Sequence, residues 1–125
     1  MTESDPSRVV VCRIGAERFA LPVEAVREIL TAPPISRIPG VARSVRGVAN
    51  VRGTLVTAIS GPILLGLEGE YAEDWLLVLG MCDGQVGVLL DEVLDLHTPA
   101  EALGLVMLDL EVLIRPLLAP EAIKA

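Results

Sequence analysis

The chain has 125 residues, 52% of them apolar, with ten Lys or Arg against seventeen Asp or Glu and a formal net charge of −7. That length holds one ordinary domain or two very small ones, which excludes a multidomain enzyme. One Lys, three aromatics (Phe19, Tyr71, Trp75) and a pI near 4.6 lack the basic, stacking surface that nucleic acid requires, and they demand an aliphatic core.

The charge is divided. Residues 1–52 carry eight Arg against five acids (+3), and residues 53–125 carry Arg115 and Lys124 against twelve acids (−10). A basic half beside an acidic half implies internal ion pairs or an oriented protein-docking surface. The longest uncharged run, Gly53 to Leu67, is fifteen residues, short of the ~20 apolar residues that span a bilayer. Met1 to Pro6 is acidic and lacks the features of a signal peptide, so the expected compartment is the cytoplasm with no membrane insertion. Cys12 and Cys82 sit in apolar runs and are expected to be buried thiols rather than a disulfide or a metal site.

In chain order, Val9 to Ile14 is a β-branched run, Gly15 marks a turn, and Phe19, Leu21 and Val23 then alternate with other residues, which together read as a hairpin. After Pro22 the spacing changes: Val23, Val26, Ile29 and Leu30 share a helical face with Glu24, Arg27 and Glu28 outside it, so a short helix or an irregular turn is expected. Val48-Ala49 and Leu55-Val56 flank Asn50-Val-Arg52-Gly53, a tight turn between two strands. A turn Arg is ordinarily just solvated, but Glu28 is an available acidic partner if its segment packs beside the turn. Residues 67–74, polar and acidic, form a boundary.

Beyond that boundary the pattern returns. Val9 to Ile29 aligns with Leu76 to Leu96 at an offset of 67, nine apolar positions matching nine, and the turn at Gly15 falls on Cys82 to Gln85. Val56 to Leu65 aligns with Leu105 to Ile114 at an offset of 49, so the second copy is eighteen residues shorter, by about one strand and its loop. The first copy covers about 8–66 and the second about 75–115.

No catalytic constellation emerges. His97 is the only His and lacks a nucleophile at a recognisable spacing, which leaves a surface or loop residue. Asp91, Glu92, Asp95, Asp109 and Glu111 match no calcium loop and read as a solvated acidic face. Gly84 to Gly87 lies in a hairpin rather than at a phosphate-binding helix start. No cofactor is expected. A small-ligand-binding barrel would need convergent polar groups inside, where Val, Leu and Ile dominate, and a hydrolase would need His97 beside a nucleophile.

Gly15 to Ile29, Ile35-Ser-Arg-Ile-Pro39, Val45 to Gly53 and Val86 to Val93 together resemble the CheW family of bacterial chemotaxis coupling proteins, and the likeness runs from about Val9 to Leu113. The resemblance implies a mostly β fold of two linked SH3-like β-barrel subdomains with an apolar groove between them, the second here shortened. It implies a non-catalytic adaptor joining the cytoplasmic tip of a methyl-accepting chemoreceptor to the regulatory domain of a CheA-type histidine kinase. Glu28 and Arg52 match the family's charged docking residues, within Val26 to Ile29 and Asn50 to Gly53. Val26, Gly47 and Gly87 match positions near the receptor groove, so the expected partner-binding set is Val26, Glu28, Ile29, Gly47, Asn50, Arg52, Gly53 and Gly87.

The chain departs from the family after the turn, where Val56-Thr-Ala-Ile-Ser-Gly-Pro62 lacks the usual Asp and Thr54 replaces a larger or basic residue. It also departs near Thr98 to Glu101, where some two dozen residues with a Gly-rich strand are absent. The short form is similar to the CheW-like accessory of the Frz chemosensory system of gliding bacteria. An incomplete barrel leaves a strand edge open to self-association or to a partner, and a receptor-binding modulator that has lost kinase binding is the alternative function.

Overall fold

The structure is a computed structural model that describes residues 8–97 and 104–118. Met1 to Pro6 and Thr98 to Glu101, on which two expectations fell, lie outside the described residues. Ten strands and two helices follow one another: β1 (Val9–Ile14), β2 (Glu17–Pro22), β3 (Val26–Thr31), β4 (Ile35–Ser36), β5 (Val45–Val51), β6 (Thr54–Ser60), α1 (Gly61–Leu64), β7 (Trp75–Leu79), β8 (Val86–Leu90), β9 (Glu92–His97), β10 (Val106–Met107) and α2 (Leu110–Leu118).

The strands make two sheets, ordered β10-β2-β1-β9 and β3-β7-β8-β6-β5-β4. Each sheet mixes the two sequence copies. The hairpin β1–β2 of the first copy pairs with β9 and β10 of the second, while β7–β8 of the second pairs with β3 and β6 of the first. The segments expected as two copies, 8–66 and 75–115, therefore do not form separate sheets: each sheet takes strands from both.

The repeat reaches the level of single register pairs. In the larger sheet Thr57 faces Val86 in a parallel pairing, and Val106 faces Phe19 in the smaller; offsets of 49 and 67 convert one pair into the other. Ile29 faces Leu77 just as Leu96 faces Val10. Even the irregularity repeats: Val26 and Glu28 face consecutive residues of β7 with Arg27 skipped, and Val93 and Asp95 face consecutive residues of β1 with Leu94 skipped. The eighteen-residue difference corresponds to β4, its loop and most of β5, so among the described residues β10, the counterpart of β6, has no β5-like neighbour in its sheet.

The largest cluster joins both sheets and both helices through buried Ile14, Leu21, Ile59, Leu77, Leu90 and Ile114. Within the larger sheet, Val51, Val56, Ala58, Leu76, Val78 and Leu89 form an interior of their own, closed by Leu30, Ala32 and Ile35. Among the described residues the corresponding cluster of the shorter half has Val9, Val11 and Ala20 as buried members, with Leu94 and Leu105 against them. Burial of aliphatic area drives both, and the shorter half encloses less of it.

Three expectations are corrected. The segment after Pro22 is one 3-10 turn at Val23–Ala25 followed by strand β3, because β-branched Val26 and Ile29 pair along β7 and tertiary pairing overrides a helix-like spacing. Val26, Glu28 and Leu30 consequently turn inward, and Arg27, Ile29 and Thr31 outward. Asp91 is not on a solvated face: it is buried, accepting hydrogen bonds from Gly15 N–H at 2.7 Å and Glu73 N–H at 3.1 Å. Cys82 is exposed, in a turn where it and Asp83 have φ of 52° and 55°.

The acid-poor sequence after β6 proves compensated. Ser60, standing where the family pattern has Asp, still caps α1 by accepting from Ile63 N–H at 3.2 Å. Its counterpart Asp109 caps α2 through Val112 N–H. The negative charge comes instead from Glu73 in the boundary segment, whose carboxylate accepts from the Ser60 hydroxyl at 2.9 Å and from Arg46 at 2.8 and 3.1 Å. That hydrogen bond and charge raise the Arg46 pKa above its ordinary value, with burial opposing. Asp91 and Glu73 thus fasten the boundary segment to both copies. Basic first half and acidic second half also meet directly, in Arg13–Glu92 at 3.0 Å and Arg27–Asp83 at 3.6 Å.

Candidate functional site

The turn between β5 and β6 consists of two residues, Arg52 and Gly53, with φ of 51° and 87°. Two-residue hairpin loops take this doubly left-handed form because its twist matches that of the flanking strands, and they favour Asn, Asp or Gly at the first position. Arg pays a steric penalty there of about 1–2 kcal/mol. Asn50 partly offsets it, its Oδ1 accepting from Gly53 N–H at 2.8 Å.

The Arg52 guanidinium donates to Glu28 Oε2 on β3. The Arg52 side chain is 76% exposed and that of Glu28 26%, so an outward cation is tied to a carboxylate that β3 turns inward. β7 and β8 lie between β3 and β6 in the sheet order, so the ion pair joins elements that are not hydrogen-bonded neighbours in the sheet. Ile29, beside Glu28, and Leu55, just after the turn, are exposed apolar residues at 39% and 60%. The pair is therefore flanked in sequence by apolar surface, which suits it to a partner with apolar and charged groups.

Other residues of the expected set play different parts. Val26 is half-buried against the main core. Gly47, at φ 150°, lies on β5 where a Cβ would overlap the Ser36 carbonyl. Gly87 is inside β8, where a Cβ would stand 2.8 Å from Leu76 Cδ1 and 3.2 Å from Leu77 O. Glu28, Asn50, Arg52 and Gly53 are brought together, while Ile29, adjacent to Glu28 in sequence, faces outward from the opposite side of β3. Gly47 and Gly87 are internal spacers that allow strands and side chains to approach.

An open groove of about 1420 Å³ lies elsewhere, between residues 32–46 and 62–73, with Ile35, Ile38, Pro62 and Tyr71 among its apolar lining and Arg37 and Arg43 among its cations. None of the eight expected residues lines it. The sequence signal for it is the Arg content of 37–46, which a charge count over half the chain averages away. Among the described residues no cluster of three or more His, Cys, Asp or Glu could hold a metal ion, and no described helix is long and apolar enough to cross a membrane.

Two β-sheets over a shared core, with an exposed, ion-paired turn on the larger one, make up the module. A family model described as CheW-like domain matches residues 8–115, and the chain belongs to that family. It is 33% identical over 107 residues to Protein PilI of Pseudomonas aeruginosa, covering 83% of this chain and 60% of that protein. It is 27% identical over 95 residues to Chemotaxis protein CheW of Rhizobium meliloti, covering 74% of this chain and 61% of that protein. The chain therefore spans about three fifths of the length of these relatives. The fold matches that of the scaffolding protein TtCheW from Thermoanaerobacter tengcongensis with a TM-score of 0.67 at 21% identity, covering 75% of this chain and 66% of that one.

Proposed function

We propose that this protein is a non-catalytic cytoplasmic adaptor of a chemosensory array, which binds the helical signalling tip of a methyl-accepting chemoreceptor and couples it to the regulatory domain of a CheA-type histidine kinase. The observation that carries the reading is Arg52: a residue held at positive φ, exposed, and fixed against Glu28, with exposed Ile29 and Leu55 close by in sequence. Strain of this kind persists where the surrounding structure holds a side chain for use. Membership of the CheW-like family and the relatedness to a chemotaxis protein and to a scaffolding protein support it. Burial of Ile29 and Leu55 supplies attraction at ~25 cal/mol per Å², and the ion pair supplies register.

A second reading is favoured by the four-stranded, shortened second sheet: a modulator of the array that holds receptor but not kinase, akin to the short Frz accessory. Calorimetric titration against a soluble receptor signalling fragment and, separately, a kinase regulatory domain tests both. Arg52→Ala should weaken receptor binding about tenfold while leaving the unfolding transition in place. Unchanged affinity for the receptor fragment removes Arg52 from the site, and binding to receptor alone selects the modulator.

A further inference from the structure

The internal symmetry supplies a template for what the second half lacks. β6 is flanked by β8 on one side and β5 on the other. Among the described residues its counterpart β10 is flanked by β2 alone. Leu108 N–H donates to Ala20 O at 2.9 Å, so the alternation of an extended strand turns the N–H and C=O of Met107 the other way, toward the edge that β5 occupies in the first half. Side-chain exposure agrees. Met107 is 53% exposed, whereas its counterpart Ala58 is 0% exposed; Val112 and Leu113 are exposed at 62% and 37%, whereas their counterparts Ile63 and Leu64 are half-buried. Of the seven large apolar residues exposed among the described residues, four belong to β10 and α2 (Val106, Met107, Val112, Leu113).

We infer that the β10 edge is a strand-acceptor site, which another polypeptide completes by adding one antiparallel strand that takes the place β5 has in the first half. The occupant's chemistry follows from β5. Its inward residues Gly47, Ala49 and Val51 are small or β-branched, as a narrow interior requires, and it ends on the Arg52-Gly53 turn. The acceptor register is fixed by the pairs Val48–Thr57 and Gly47–Ala58, which translate into donor residues opposite Val106 and Met107. On β9 the register position equivalent to Glu28 is Asp95. Backbone pairing supplies affinity and alternate side chains supply choice. This inference rests on the symmetry of the chain and stands apart from the receptor-binding reading.

The probe is a synthetic peptide with the sequence of residues 45–53, Val-Arg-Gly-Val-Ala-Asn-Val-Arg-Gly, added to the full chain and followed by amide hydrogen exchange and NMR. In the dilute monomer the Met107 amide should exchange freely. The peptide should slow it tenfold or more and shift the amides of residues 105–108, and Met107→Pro should abolish the effect. As that variant alters the protein, a second arm leaves the chain intact: peptides N-methylated on alternate amides of one edge or the other should differ, one set losing binding and the other keeping it. Protection of Met107 in the lone monomer would show that the chain covers its own edge and overturn the inference. Protection that grows with protein concentration alone would assign the edge to a second copy and overturn it too. A peptide that fails to bind, or methylation that acts equally on both edges, overturns it as well.

Discussion

Arg52 and Glu28 join two elements that do not pair with each other, the guanidinium on the tip of the β5–β6 hairpin and the carboxylate on β3. The union stabilises the fold little. A left-handed Arg costs about 1–2 kcal/mol, an exposed ion pair returns about 0–1 kcal/mol, and the Asn50 bond contributes about 1 kcal/mol. These terms nearly cancel, so the pair is best understood as a device for holding a cation at a defined place.

That balance predicts the behaviour of Arg52→Gly, which removes the cation together with the steric penalty. Urea unfolding should show stability unchanged or raised by up to about 1 kcal/mol, while affinity for a receptor signalling fragment drops about tenfold. A loss of stability well beyond 1 kcal/mol would instead make the pair a structural clamp.

Gly87 predicts the opposite partition. An added Cβ meets Leu76 Cδ1 at 2.8 Å inside the barrel, so Gly87→Ala should destabilise by about 1–3 kcal/mol through overpacking. Measured under conditions where the variant is fully folded, its partner affinity should equal that of the unaltered protein. A defect that persists in the folded variant would place Gly87 on the binding surface itself.

Much of the fold is legible in the sequence, and the parts that are not have physical causes. Offsets of 67 and 49 express pairs such as Thr57–Val86 and Val106–Phe19 without any knowledge of pairing, because equal register demands equal side-chain alternation. That each sheet takes strands from both copies is not visible, since alternation tells which face a residue takes and not which strand lies beside it. Val23, Val26, Ile29 and Leu30 imitate a helix by their spacing alone; in the strand Val26 and Leu30 turn inward and Ile29 outward, a division that pairing with β7 imposes. Arg52 and Glu28 are identifiable as partners from type and position. Glu73 is not, because an acid in a polar segment looks solvated until the segment is seen folded onto Ser60 and Arg46.

Ser60 and Glu73 form a testable unit. Ser60→Ala removes the α1 cap and one bond to Glu73, and should cost about 1–2 kcal/mol in urea unfolding. Ser60→Asp keeps the cap but sets two carboxylates together, and should be worse than Ala. Adding Glu73→Gln to Ser60→Asp should recover most of the loss, leaving Arg46 to neutralise the new carboxylate. A double-mutant cycle measures the coupling, and additive effects would show that Ser60 and Glu73 act independently.

The two thiols should separate cleanly. Cys12 is 1% exposed, and burial pushes its thiol from an ordinary 9.0 up to about 12, while Cys82 is exposed. A thiolate is the reactive species, so a maleimide at pH 8 should label Cys82 rapidly and Cys12 only after unfolding, as mass spectrometry of quenched samples would show. The same burial sets a pH dependence. The folded state holds the Cys12 proton more tightly than the unfolded chain, so this contribution to stability is complete below an ordinary thiol pKa of 9.0 and is lost as pH rises toward about 12. In that window the unfolding free energy should fall with a slope of up to about 1.4 kcal/mol per pH unit, and Cys12→Ala should remove this part of the slope. Equal labelling of both thiols in the folded protein, or a slope untouched by that substitution, would place Cys12 in contact with solvent.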